Sequence, residues 1–466
     1  MRRQNGRRTD LATFCNLLLL VLLQILSVVI GTNSDDISNI WYFGCRWFGG
    51  SENKMACNCS SEAKEMYIQR DSIQGFESAL EIHNCPKVRF GGYSIYDLRT
   101  FRSITLTNIQ NLTFEPNSLN WVGYRDISIN QQERFDLSIP SLKIHIINSN
   151  IDSIGSYTFV GRIQEIHMEK VNIASIEAFA FSNILQMENL IFKEVVLRDV
   201  KPQAFKMFGT ESLIFDGVTA QQLPSRTFSN VTVYRRFLIS NCNFDILRPA
   251  TFIINNPASF VVTDTRINQL EGEAFYLTTT GDVLFRNNYF DQIYNQAFMG
   301  ITLNTQEVTS GRAISFDSNT FGSLRKYSLD VQPQFQARVS NLYLNQTCDC
   351  ESIVVNVSNS DFYNEIKCVD YEGKYVTMRD FKSYNCSILA GYYPILIGVS
   401  IVILLLGILA IAFYLYYVMV YKRDKYGCKR VHGKPNLSLI VPDGKTYRET
   451  ELHVIVEKAD LLTTDL

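Results

Sequence analysis

Residues 189–205 read NLIFKEVVLRDVKPQAF. Leu190 and Phe192 stand two apart, as on one side of a strand, and Leu197, Val200 and Phe205 follow seven, ten and fifteen residues after Leu190. Ile191 spoils the apolar–polar alternation of a half-buried strand, so three apolar residues stand in a row. The same template fits Ile144, Ile146, Ile151, Ile154 and Phe159, and then Ile166, Met168, Ile173, Ile176 and Phe181. It continues from Leu213, Phe237, Phe260 and Val283 to Phe298, and closes with Ile314, Phe316, Phe321, Leu324 and Leu329. Successive starts lie 22–24 residues apart until a last step of 31, and weaker copies begin at Ile104 and Ile127. A unit this short cannot bury its apolar edge alone, so the units stack into a solenoid with one continuous core.

Cysteines bracket this array. Cys45, Cys57, Cys59 and Cys85 precede it, Cys348, Cys350, Cys368 and Cys386 follow it, and Cys242 stands alone between. Repeat and brackets together resemble the extracellular leucine-rich-repeat family, with its pattern LxxLxLxxNxLxxLxxxxF. The resemblance implies an α/β solenoid: a horseshoe of about ten turns with a parallel β-sheet and disulfide caps, a parallel β-helix being the alternative. It also implies the pairs Cys348–Cys368 and Cys350–Cys386. The four N-terminal cysteines allow three connectivities, and the choice stays open. The chain departs from the family at the Asn position, which holds Ser149, Val171, Val195, Val218, Cys242 and Thr265 before Asn288 and Asn319. Valine cannot bond the turn backbone, so those groups need other partners. Cys242 on this position reads as a buried ladder residue rather than a reactive thiol.

The register answers the question of Ile191. Leu190 and Phe192 face the core, and Ile191 faces the other, concave side of the sheet. The equivalent residues are Thr105, Ser128, His145, His167, Ile191, Ile214, Leu238, Val261, Leu284 and Ser315. Five aliphatic side chains in a row form a column roughly 19 Å tall at the spacing of parallel strands. It is either covered by another part of the chain or it is an exposed strip that binds an extracellular protein partner or a second copy of the chain itself. Lys193, Asp216 and Arg286 would give that strip a charged rim.

The ends set the topology. Residues 1–31 carry four arginines, an apolar run and small residues near Gly31, as in a secretory signal. Residues 392–421 are uncharged and long enough to span a bilayer, with Lys422, Arg423 and Lys425 directly after them. A positive flank stays in the cytosol, so the expectation is a type I plasma-membrane protein with its N-terminus outside. The divisions are then a cap at 32–79, a solenoid at 80–335, a second cap at 336–387 and a cytosolic tail at 422–466. Asn58, Asn111, Asn230, Asn345, Asn356 and Asn385 open glycosylation sequons on the exported side. The tail ends in Thr464, Asp465 and Leu466, the form a PDZ scaffold captures by its free carboxylate, and Cys428 is a palmitoylation candidate beside the bilayer.

Catalysis has no candidate. HExxH, GxSxG and phosphate-binding glycine loops are missing, and His145 and His167, neighbours by register, read as surface residues without a carboxylate partner rather than a metal site. No cofactor is implied, and a net charge of −2 without a basic stripe offers nothing to nucleic acid. The resemblance implies adhesion or ligand recognition outside and scaffold attachment inside. The alternative is a co-receptor or negative regulator that sequesters a secreted ligand or joins a signalling receptor laterally.

Overall fold

The computed structural model describes residues 44–425 apart from 50–52, 60–64, 71, 74–76, 97, 99, 122–140, 186, 306–310, 326, 351–364 and 387–391. The chain divides into two compact units, 1–391 and 392–466. In the first unit it winds as a parallel-strand solenoid whose turns stack rung on rung. The apolar template positions are buried, all but the partly buried Leu324, and they merge into one core. That core lies wholly between Cys45 and Phe381 among the described residues, so this unit closes on itself.

Three ladders of strands run along it. The first holds the apolar–x–apolar segments, from Lys54–Asn58, Ala79–His83 and Ser103–Thr107 through Met187–Lys193 to Ala313–Asp317 and Gln336–Ser340. Twelve rungs result among the described residues, against the ten or so expected, because strands at both ends join the parallel register. The second ladder holds segments such as Asn150–Ile154 and Asn172–Ile176. From Phe159 to Phe275 the third begins at the repeat's phenylalanine, as in Phe181–Leu185, Phe252–Asn255 and Phe275–Thr279, and the next strand in it is Ile301–Leu303. In Phe159–Glu169, Phe205–Asp216 and Phe228–Ser240 one long strand passes from the third ladder into the first, with a register shift at the bend. The described residues of the solenoid contain no helix before Met378–Asn385. The return segments are strands, which brings the coil close to the β-helix alternative; 22–24 residues accommodate three short strands and three corners.

The copy expected at Ile127, with Ser128, lies outside the described residues. Ser103–Thr107 pairs directly with Leu142–Ile147, so Thr105 is the immediate neighbour of His145.

Phenylalanine rings stack through the third ladder: Phe159 on Phe181 at 4.5 Å, Phe181 on Phe205 at 4.5 Å and Phe205 on Phe228 at 4.3 Å. The Asn position forms a second internal column, buried from Ser149 to Asn319. Asn288 accepts from the Thr265 N–H (3.0 Å) and donates to the Val262 carbonyl (2.9 Å), while Asn319 accepts from both the backbone and the side chain of Asn288. Thr265 serves the Cys242 N–H in the same way at 3.3 Å. Cys242 donates to the Ser240 carbonyl at 3.1 Å, and burial pushes its thiol up to about 12, so it is an inert member of this column.

A third column went unread in the sequence. The residue after each first-ladder strand from Ala79–His83 onward turns left-handed, with positive φ at Asn84, Asn108, Asn148, Asn241, Asn287 and Asn341, and at Lys170, Glu194, Gly217, Asp264 and Ser318 in the other rungs. Asparagine tolerates that conformation better than other side-chain-bearing residues. It also links the turns: Asn84 donates to Asn58 at 3.0 Å, Asn108 to Asn84 at 2.9 Å and Asn148 to Asn108 at 2.7 Å. Where the position is Gly217 (φ +70°), the backbone still bonds Ser240 of the next rung.

Disulfides close both ends. Cys348–Cys368 and Cys350–Cys386 form, and the N-terminal four pair as Cys45–Cys57 and Cys59–Cys85. The first of these follows from an antiparallel strand, Cys45–Phe48, lying in register on the first rung. In the second unit, helix Tyr393–Lys425 includes a stretch, Pro394–Lys422, that is long and apolar enough to cross a membrane. This is compatible with a single-pass membrane protein. The segment 1–31, Asn356, Cys428, Thr464, Asp465 and Leu466 lie outside the described residues.

Candidate protein-binding face

On the outer side of the first ladder each strand presents a central residue and two flanking ones. The register carries Ile191 onto Ile214, Leu238, Val261 and Leu284 without a shift. All five are half-buried: they touch the rungs above and below and keep an open side. Asn189, Ser212, Arg236, Ser259 and Asp282 flank them on one edge, and Lys193, Asp216, Ser240, Thr263 and Arg286 on the other. The strip is therefore apolar along its middle and mixed in charge along both edges. Ser315 and Arg338 continue the central line at one end, His167 and His145 at the other.

The histidines are not without carboxylates, as the sequence reading had them. His145 Nε2 lies 2.7 Å from Glu165 Oε1, and His167 Nε2 lies 3.7 Å from Glu169 Oε2. Residues two apart in a strand share a face, so Glu165-x-His167-x-Glu169 put all three there; the signal was in the sequence. Lys193 bonds Glu169 at 3.0 Å, and the two imidazoles meet edge to face at 5.9 Å. Among the described residues, no three such side chains converge as a metal site.

Burial, then the neighbouring His145, hold His167 below the usual histidine range, against the pull of Glu169 and Glu165. Burial alone would raise Glu165, but hydrogen bonds from His145 and Asn189 outweigh it and keep that carboxyl low. His167 thus binds a proton less readily folded than unfolded. Its contribution to stability is full above the ordinary histidine pKa, about 6.5, and declines as pH falls through that value. The solenoid unit is expected to melt at lower temperature near pH 5 than near pH 7.5, and His167→Gln to remove part of that difference. An identical pH profile in the variant would refute the assignment.

The described sequon asparagines stand off the aliphatic line itself. Asn111 and Asn345 stand in the second ladder, Asn230 in the third and Asn385 in the C-terminal helix of the unit, while Asn58 sits on the first rung, five rungs before Ile191. Asn58, Asn230, Asn345 and Asn385 are exposed, and Asn111 is half-buried.

The sequence model of the BspA type leucine rich repeat region matches in six copies, over residues 89–207 and 128–256. No curated protein and no solved structure matches. The matched span contains the rungs from Ser103–Thr107 to Phe228–Ser240. With the stacked register above, the match supports a leucine-rich-repeat solenoid, its repeats similar to the BspA type.

Proposed function

We propose that this chain is a single-pass cell-surface protein that works by binding, not catalysis, and that the strip Ile191–Ile214–Leu238–Val261–Leu284 receives a protein partner. The observation that carries this is an unbroken aliphatic line on an open sheet face, edged by charge and clear of sequons. Solvated sheet faces ordinarily alternate toward polar residues, and an apolar line left in place marks an interaction surface. The repeat type agrees, since solenoids bind along their extended faces. In this reading residues 1–31 are removed on export and the helix anchors the chain. Glycans occupy Asn58, Asn111, Asn230, Asn345, Asn356 and Asn385. Inside the cell, Cys428 is palmitoylated and Thr464-Asp465-Leu466 engages a PDZ scaffold.

The test is Leu238→Arg in the solenoid unit, residues 32–387. An open strip predicts a protein that still folds, because the arginine stem can keep the contact with the neighbouring rungs while its charged end reaches solvent on the open side. An unfolded variant would show that the line is core and would end the reading.

A further inference from the structure

We propose that the partner on this strip is a second copy of the same chain, packed face to face with its solenoid axis running in the same direction. This deepens the reading of the strip as a protein-binding face and rests on it. Two symmetric pairings are open to such a face, and the flanking residues distinguish them.

In one, a half-turn about an axis parallel to the solenoid places every rung opposite its own counterpart and exchanges the two edges. Asn189 then faces Lys193 of the other copy, Ser212 faces Asp216, Arg236 faces Ser240, Ser259 faces Thr263 and Asp282 faces Arg286, each pair occurring twice. Ser240 is buried, with its hydroxyl donating to Asp216 Oδ1 at 2.9 Å; each of the other four pairs matches a donor to an acceptor, the last joins opposite charges, and none sets like charges together. Arg286 already lies 3.3 Å from Asp317, and Asp282 Oδ1 accepts from the Ala313 N–H. The other guanidinium nitrogens and Asp282 Oδ2 remain for the second copy. The next rung opposes Glu165 to Glu169, which bounds the contact at five rungs.

In the other pairing, a half-turn about the strand direction reverses the order of rungs and sets each edge against itself. Lys193 then meets Arg286, and Glu169 meets Asp317 one rung further out. Like charges across an interface oppose pairing, so the first arrangement is favoured.

Five rungs and three outward residues per strand cover roughly 19 by 14 Å, about 300 Å² per copy. Stable complexes bury about 800 Å² on each partner, so this contact is weak between free molecules. Confinement of two chains to one bilayer raises their effective concentration and offsets that deficit. Only the same-direction pairing puts the C-terminal ends of the two solenoid units side by side, so the contact proposed is lateral, within one membrane, and not a bridge between two.

The experiment uses the full chain in phospholipid vesicles, with Ile191→Cys or Leu284→Cys and a short bismaleimide to span sheets about 10 Å apart. Cys242 is buried, Cys428 is replaced by serine throughout, and the chain without an added cysteine supplies the background. Each single variant is expected to cross-link to itself. Adding Asp282→Arg to Leu284→Cys should lower the cross-linked fraction about fivefold, the scale of losing two exposed ion pairs, and Arg286→Asp on top should restore it. Cross-linking only in a mixture of the two cysteine variants would overturn the proposal in favour of the reversed pairing. No cross-linking at all, with Leu238→Arg still folded, would overturn it while the strip remains a face for a different protein. Unfolding of Leu238→Arg would instead remove the strip reading itself.

Discussion

Phe205→Ala is expected to destabilise the solenoid by about 3–5 kcal/mol, the range for deleting a buried phenylalanine from a core that cannot collapse around the gap. Phe205 is 1% exposed and lies between Phe181 and Phe228, with Phe192 edge-on at 5.9 Å. Neighbouring rungs hold these rings at strand spacing through the backbone ladder, so they cannot close on the void. Each turn touches only the turns beside it, so the loss should appear first as local opening. Denaturant unfolding would measure the total, and hydrogen exchange over residues 181–240 would locate it. A cost under about 1 kcal/mol would mean that the stack is an incidental alignment. Phe205→Leu, which keeps most of the volume, should cost clearly less.

Asn288→Ala is the second. Asn288 is 2% exposed, and its loss strips an acceptor from the Thr265 N–H, a donor from the Val262 carbonyl and a partner from Asn319. Each buried polar group left unpaired costs about 1–3 kcal/mol, so a total of about 3 kcal/mol or more is expected in urea unfolding. Asn288→Val should be no better, although valine occupies the same position at Val171, Val195 and Val218. Those valines follow one another, so apolar neighbours face apolar neighbours. A valine at 288 would stand between Thr265 and Asn319, two polar groups that rely on it. A cost below 1 kcal/mol for Asn288→Ala would show that water replaces the lost bonds.

How much was legible differs with the range of the interaction. The core residues were readable because a stacked coil repeats its environment every turn, and Leu190, Phe192, Leu197, Val200 and Phe205 are all buried. The line of Ile191 and its counterparts followed from the same register. Glu165 beside His145 was readable from two-residue spacing and was missed. So was the asparagine corner, although Asn84, Asn108, Asn148, Asn241 and Asn287 each stand four residues after an apolar strand position. Both signals are local and weak beside the apolar period, which drew the reading.

What the sequence by itself determined was the stacking: a period of 22–24 residues, the side of each strand that faces the core, and the identity of the aliphatic line. What only the tertiary structure decided was long-range pairing. It placed Ser103–Thr107 directly against Leu142–Ile147, joined Cys45 to Cys57 through an antiparallel strand, made strands of the return segments, and left the aliphatic line open on one side. The physical reason is that side-chain direction is set within a strand by its own backbone. The choice of neighbour is set by hydrogen bonds between residues tens of positions apart, and the local pattern carries no record of it.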